Sequence, residues 1–176
     1  MKIFYAAEIV GKAGVFTFKK ALSELKAKYN WDFLIVGADG ATSGNGLGQT
    51  HAGYIHKLGA DVITLGDCCF HKKDLTENID KMRFVLRPYN LNHQSPGIGS
   101  YVYKKGEEKI AVAVLMGQNG FNRINANSPF SCYSGLLEKL REQTPYVIVD
   151  FHAQASAGAF CCCKKSKQNC LCPYCS

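Results

Sequence analysis

Four apolar runs in this chain of 176 residues each lead into a side chain able to bind a metal ion. Glu8 follows Ile3-Phe4-Tyr5-Ala6-Ala7, Asp39 follows Phe33-Leu34-Ile35-Val36-Gly37, Asp67 follows Val62-Ile63-Thr64-Leu65-Gly66, and His152 follows Val147-Ile148-Val149-Asp150-Phe151. Short apolar runs bounded by turn formers are the signature of buried strands. Ligand sites of α/β proteins lie beyond the carboxyl ends of parallel strands, so acids and an imidazole delivered there converge on one crevice. A lone acid after a strand is also a common turn former or helix cap. The recurrence is what points to divalent-metal chemistry.

Between these runs the apolar period changes to that of helices. Val15, Phe18, Leu22, Leu25 and Tyr29 recur at helical spacing, with Lys19, Lys20, Glu24, Lys26 and Lys28 on the other face. Residues 49–58 and 72–82 also read as helix, as does 134–143 with Leu136, Leu137 and Leu140 on one side. A short strand over 84–86 precedes the Arg87-Pro88 break, and 101–103 pairs with 110–115 as a hairpin through the turn at 104–108. Residues 117–130 read as a polar loop. Alternating strands and helices predict an α/β fold with a mainly parallel sheet flanked by helices.

Composition sets limits on partners. No apolar stretch reaches the length of a membrane helix, and Glu8 interrupts the amino terminus too early for a signal peptide, so a cytoplasmic protein is expected. Of the formal charge of +7, Lys164, Lys165 and Lys167 carry three, leaving about four on the body. That surplus suits a phosphate-bearing small molecule, and no basic run interleaved with aromatics marks a nucleic-acid surface. Cysteine is uneven: Cys68, Cys69 and Cys132 lie in the body, while Cys161, Cys162, Cys163, Cys170, Cys172 and Cys175 crowd the end. Residues 1–159 therefore read as one domain and 160–176 as an irregular Cys-rich tail without structure of its own.

Two-metal phosphoester hydrolysis needs carboxylates to hold hard cations, imidazole ligands, and a proton donor near the leaving oxygen. Glu8, Asp39 and Asp67 supply the first and His152 the second. Several blocks, in order, then resemble the YmdB-like calcineurin-type metallophosphoesterases. They are Ile9-Val10-Gly11-Lys12-Ala13-Gly14, Gly44-Asn45-Gly46-Leu47, Gly59-Ala60-Asp61-Val62-Ile63-Thr64-Leu65-Gly66, Lys72-Lys73-Asp74, Leu86-Arg87-Pro88, Pro96-Gly97-Ile98-Gly99 and Asp150-Phe151-His152-Ala153-Gln154-Ala155. The resemblance runs from residue 1 to about 157. It implies a four-layer αββα sandwich, here incomplete, a divalent cofactor (manganese, iron, magnesium or zinc), and hydrolysis of phosphodiesters including 2′,3′-cyclic nucleotides.

The departures fall on the positions that the resemblance marks as functional. The family's Gly-Asp after the first strand is Ala7-Glu8, its Glu-Asn after the second is Asp39-Gly40, and its Gly-Asn-His after the third is Gly66-Asp67-Cys68. Cys68 thus stands where the resemblance puts the catalytic imidazole, and a thiol donates hydrogen bonds weakly and tends to become a metal-bound thiolate. The alternative for Cys68 and Cys69 is that of small apolar fillers. A later family strand ending in Gly-Thr-His-x-His has no counterpart, because no His follows His152. Weak or absent activity is the expectation, with the tail read as a frame change or truncation and an open sheet edge that self-association would cover.

Other features carry less. Arg87 and Asn90 follow a short strand and can meet a phosphate, although Arg before Pro is also a frequent loop anchor. Gly44-Asn45-Gly46-Leu47-Gly48 lacks the spacing and the Lys of a phosphate loop and reads as a flexible rim. His51 and His56 do not share a helix face, and His71 and His93 have no companion in the pattern. Cys170, Cys172 and Cys175 form a Cys-x-Cys-x-x-Cys set able to hold zinc, which supports an alternative function as a noncatalytic metal- or thiol-binding regulator.

Overall fold

The computed structural model describes residues 1–121 and 123–154, together with the main chain of 170–171. The chain divides into two compact units, Met1–Val85 and Leu86–Ser176. The tail boundary expected at 159/160 lies outside the described residues. Among the described residues no helix is long and apolar enough to cross a membrane.

The first unit contains β1 (Ile3–Ala6), β2 (Phe33–Gly37) and β3 (Val62–Thr64), with β4 (Val85–Leu86) completing the sheet order β1-β2-β3-β4. β2 runs parallel to β1 and to β3, and all five of its residues are buried. That is why its sequence is an unbroken apolar run rather than an alternating one. α1 (Gly11–Tyr29) buries Val15 and Phe18 but leaves Tyr29 exposed, so the apolar face expected from spacing is narrower at its end. The helix stops at Asn30, whose left-handed φ of 46° and N–H bond to the Lys26 carbonyl form a C-cap.

α2 (Gln49–Lys57) matches its expected span to within a residue, and His56 packs inside this unit, its ring stacked on Phe84 at 3.9 Å. The helix expected over 72–82 is instead one turn, α3 (Lys73–Thr76), followed by a 3₁₀ turn at Ile79–Lys81. Side chains explain the break: Thr76 Oγ1 donates to the Lys72 carbonyl and Asn78 Nδ2 to the Asp74 carbonyl, competing with helix propagation.

In the second unit β5 (Ser100–Lys105) pairs antiparallel with β6 (Glu108–Met116), and Gly106 at φ 60° makes the turn between them. β6 runs parallel to β7 (Val147–His152) with Met116 opposite His152. Two residues of the expected tail, Cys170–Leu171, form β8 parallel to β7. α4 (Pro129–Arg141) starts five residues earlier than periodicity predicts, because Pro129 sits at its first turn where a missing N–H is no loss. Ala111, Ala113 and Leu115 of β6 and Val149 and Phe151 of β7 bury against Leu136 and Leu140 of α4.

Gly99 marks the tightest approach in this unit. A Cβ there would lie 2.3 Å from Tyr89 Cα and 2.7 Å from Tyr89 N, while Gly99 O accepts the Val114 N–H at 3.0 Å and Tyr89 N–H reaches Val114 O at 2.7 Å. Gly99→Ala is expected to cost about 3 kcal/mol or more in urea denaturation, because main chain rather than a flexible side chain must move. Gly135, exposed in α4 with open space around it, gives the opposite sign: Gly135→Ala is expected to add about 0.8 kcal/mol. Equal effects of the two substitutions would contradict this packing.

Candidate functional site

The three acids of the first unit are set by how its strand ends meet. The chain leaving β1 lies against the end of β2: Ile9 N–H bonds Gly37 O at 2.8 Å and Gly11 N–H bonds Gly40 O at 2.9 Å. Glu8 Oε1 accepts the Gly40 N–H at 2.9 Å. Asp39, buried just past β2, accepts the Cys68 N–H on Oδ2 at 2.8 Å. Asp67 follows β3, and its Oδ2 accepts a long 3.8 Å hydrogen bond from the Cys68 thiol. Asp39 and Asp67 each offer a carboxylate oxygen, and the two lie within 4.8 Å of one another. Glu8 does not join them at that spacing.

Two carboxylates so close repel each other in a partly desolvated place, and hard oxygen donors at this separation suit a divalent cation. Main-chain N–H groups on Glu8 and Asp39 hold those side chains in orientation, as outer partners of ligands do. The donor set therefore fits the metal that the sequence resemblance implies. The same surroundings act on Cys68. Burial first, and then the negative charges of Asp39 and Asp67, push its thiol up to about 12. Cys69 is 1% exposed and lies within the core.

A second layer of contacts shapes the rim. Thr42 Oγ1 accepts the Gly48 N–H at 2.7 Å and bonds His51 Nδ1 at 2.9 Å, while Asp74 Oδ2 accepts the Gln49 N–H at 2.8 Å at the start of α2. The loop expected to be a flexible rim is thus tied down at both ends. His71 Nδ1 bonds Asn45 Oδ1, and His71 N–H bonds the Cys68 carbonyl at 3.0 Å. Sequence spacing gives no sign of this pairing.

In the second unit His152 ends β7, half-buried, its ring 5.6 Å from that of Phe121 and its carbonyl accepting the Gly117 N–H at 2.9 Å. Arg87 and Asn90, read as substrate contacts, are buried and engaged with main chain. Arg87 donates to the carbonyls of Pro96, Pro88 and Ser95. Asn90 donates to those of Met116 and Asn127, both at 2.7 Å, and accepts the Met116 N–H at 2.9 Å. Their observed work is to brace loops. The Cys170 side chain, Cys172 and Cys175, the expected zinc set, lie outside the described residues.

The raised thiol generates a measurable expectation. At pH 8 only roughly one part in 10⁴ of Cys68 is thiolate, so iodoacetamide labels it slowly and faster only as the pH climbs toward 12. Asp39→Asn removes one of the charges that raise the thiol and is expected to speed labelling at pH 8. Rapid labelling of the Cys68 peptide in the unaltered protein at pH 8, read by mass spectrometry, would contradict this electrostatic picture.

Comparison with known proteins adds an independent line. Residues 4–162 match the family profile described as YmdB-like protein. The chain is 31% identical over 157 residues to the 2′,3′-cyclic-nucleotide 2′-phosphodiesterase of Bacillus subtilis strain 168, an alignment covering 89% of this chain and 59% of that protein. Among solved structures it is similar to the crystal structure of a novel phosphatase from Mycoplasma pneumoniae, with a TM-score of 0.86 and 31% identity over 95% of this chain and 60% of the other. A hypothetical protein from Thermus thermophilus shares the fold at a TM-score of 0.80, with 24% identity over 92% of this chain and 61% of that one. The chain thus spans about three-fifths of the length of these relatives. With the profile matched over nearly all of its length, the chain belongs to the YmdB-like protein family.

Proposed function

We propose that this chain carries the metal-holding part of a phosphodiesterase of the metallophosphoesterase type, acting on 2′,3′-cyclic nucleotides or related phosphodiesters. The observation that carries the reading is the pair of carboxylates, Asp39 and Asp67, set within 4.8 Å beyond β2 and β3 in a chain of this family. The substrate class follows that of the Bacillus subtilis relative, a 2′,3′-cyclic-nucleotide 2′-phosphodiesterase. Asp39 and Asp67 hold the cation, with His152 as the imidazole donor and Glu8 as a further carboxylate. Carboxylates favour manganese or magnesium, and an imidazole brings iron and zinc into range. When bound, the metal supplies charge neutralisation at the phosphoryl oxygens and activates water.

Cys68 stays a neutral thiol beside the two acids and faces the leaving oxygen as a weak hydrogen-bond donor. Turnover is therefore lower than in relatives that place an imidazole there. Arg87 and Asn90 act on the substrate through the loops they brace. A noncatalytic metal- or thiol-binding regulator built on the Cys-rich tail is the weaker reading, because the family match and the similar proteins point to phosphoester chemistry.

Hydrolysis of 2′,3′-cyclic AMP with manganese tests the reading. EDTA is expected to abolish turnover, and Asp39→Asn or Asp67→Asn to lower kcat/KM by on the order of 100-fold while weakening manganese binding in calorimetry. Cys68→His is expected to raise turnover by about tenfold or more. Turnover indifferent to EDTA, or manganese affinity unmoved by both Asp substitutions, would remove the basis for this function.

A further inference from the structure

His71 lies on the same turn as Cys68, and the Cys68 main chain links it to the acids. The Cys68 N–H holds Asp39 Oδ2 at 2.8 Å, and the Cys68 carbonyl holds the His71 N–H at 3.0 Å. Residues 68–71 therefore close a four-residue turn directly after Asp67.

The facing loop is built to meet this turn. Gly46 adopts φ 87°, and a Cβ there would stand 3.0 Å from His71 Cβ and 3.1 Å from the Cys68 carbonyl oxygen. Only a glycine permits both the left-handed backbone and that approach. The loop is closed on itself by Thr42 N–H to Gly46 O at 2.9 Å, and between Gly44 and Gly46 it turns Asn45 toward the imidazole. Asn45 Oδ1 bonds His71 Nδ1. A carboxamide oxygen only accepts, so Nδ1 keeps its proton and Nε2 is the atom that gains and loses one. No hydrogen bond within the described residues occupies Nε2.

We propose that His71 is a catalytic residue of this chain: through Nε2 it gives the proton to the leaving oxygen, the task for which Cys68 is poorly suited. The step balances. Water forms the new bond to phosphorus and releases its proton to solvent, and the bond from phosphorus to the leaving oxygen breaks with its electron pair on that oxygen. The Nε2 proton turns that alkoxide into a hydroxyl, and the ring is reprotonated from solvent. Asn45 and Gly46 are positioning residues, one fixing the tautomer and the other the approach.

This inference rests on the phosphodiesterase reading, and two measurements separate their failures. In histidine-labelled, metal-free protein, nitrogen NMR is expected to show neutral His71 protonated on Nδ1, with Asn45→Ala eroding that preference. A ring protonated on Nε2 overturns the inference whatever the activity. In manganese-loaded protein, His71→Gln is expected to lower turnover of 2′,3′-cyclic AMP by on the order of 100-fold. Turnover of bis(p-nitrophenyl) phosphate, whose phenolate departs without a proton, should fall far less, and the manganese affinity should match that of the unaltered protein. Cys68→His in the His71→Gln background should recover the lost cyclic AMP turnover. Equal losses on both substrates make His71 structural and overturn the inference. An unaltered protein that cleaves neither substrate overturns the phosphodiesterase reading itself.

Discussion

The acids of the first unit depend on a contact in which Gly37 has no room for a side chain. A Cβ on Gly37 would lie 2.8 Å from Ala7 Cβ, closer than two such atoms tolerate, so the exit of β1 crosses the end of β2 only because that position is glycine. From this crossing follow the Ile9 and Gly11 bonds to Gly37 and Gly40, and with them the place of Glu8 against Gly40. The next residue along, Ala38, bonds Thr64 O at 3.1 Å, which joins the exit of β2 to the end of β3. Asp39 and Asp67 come together because these two strand ends do. A larger residue at 37 would disturb the acids without touching either.

Much of the fold is readable from the residues because its elements are local. β2 is apolar throughout and β6 from Ile110 to Met116, and α1 and α4 carry their buried side chains at helical intervals. What periodicity leaves out is pairing. The division into two four-stranded sheets depends on contacts far apart in sequence, such as Ala111 with Val147 and Val149 with Cys170. β8 in particular arises in a stretch whose composition has no period of its own. The segment 72–82 departs from its expected helix for the opposite reason: Thr76 and Asn78 act on their own backbone, a local effect that a hydrophobic pattern ignores.

The site divides in the same way. Asp39 and Asp67 are found by the simple rule that ligands gather past strand ends, and the structure brings their oxygens together. Arg87 and Asn90 also follow a strand, yet their polar atoms meet carbonyls that the sequence places up to 37 residues away. Phosphate-binding and loop-bracing side chains look alike until their partners are known. His71 has the reverse history: its partner Asn45 is 26 residues upstream, in a loop whose glycines resemble a flexible linker. Gly46 is the one signal available in the sequence, and its meaning appears only with the turn it faces.

The thiol between the two acids also bears on how the protein meets oxidants. Peroxide attacks thiolates rather than thiols, so the burial and the two carboxylates that keep Cys68 protonated also shield it from conversion to sulfenic acid. With a divalent cation between those carboxylates the shielding charge is neutralised and the thiol becomes easier to ionise. Metal occupancy would then lift the charge part of this protection and leave the part that burial supplies.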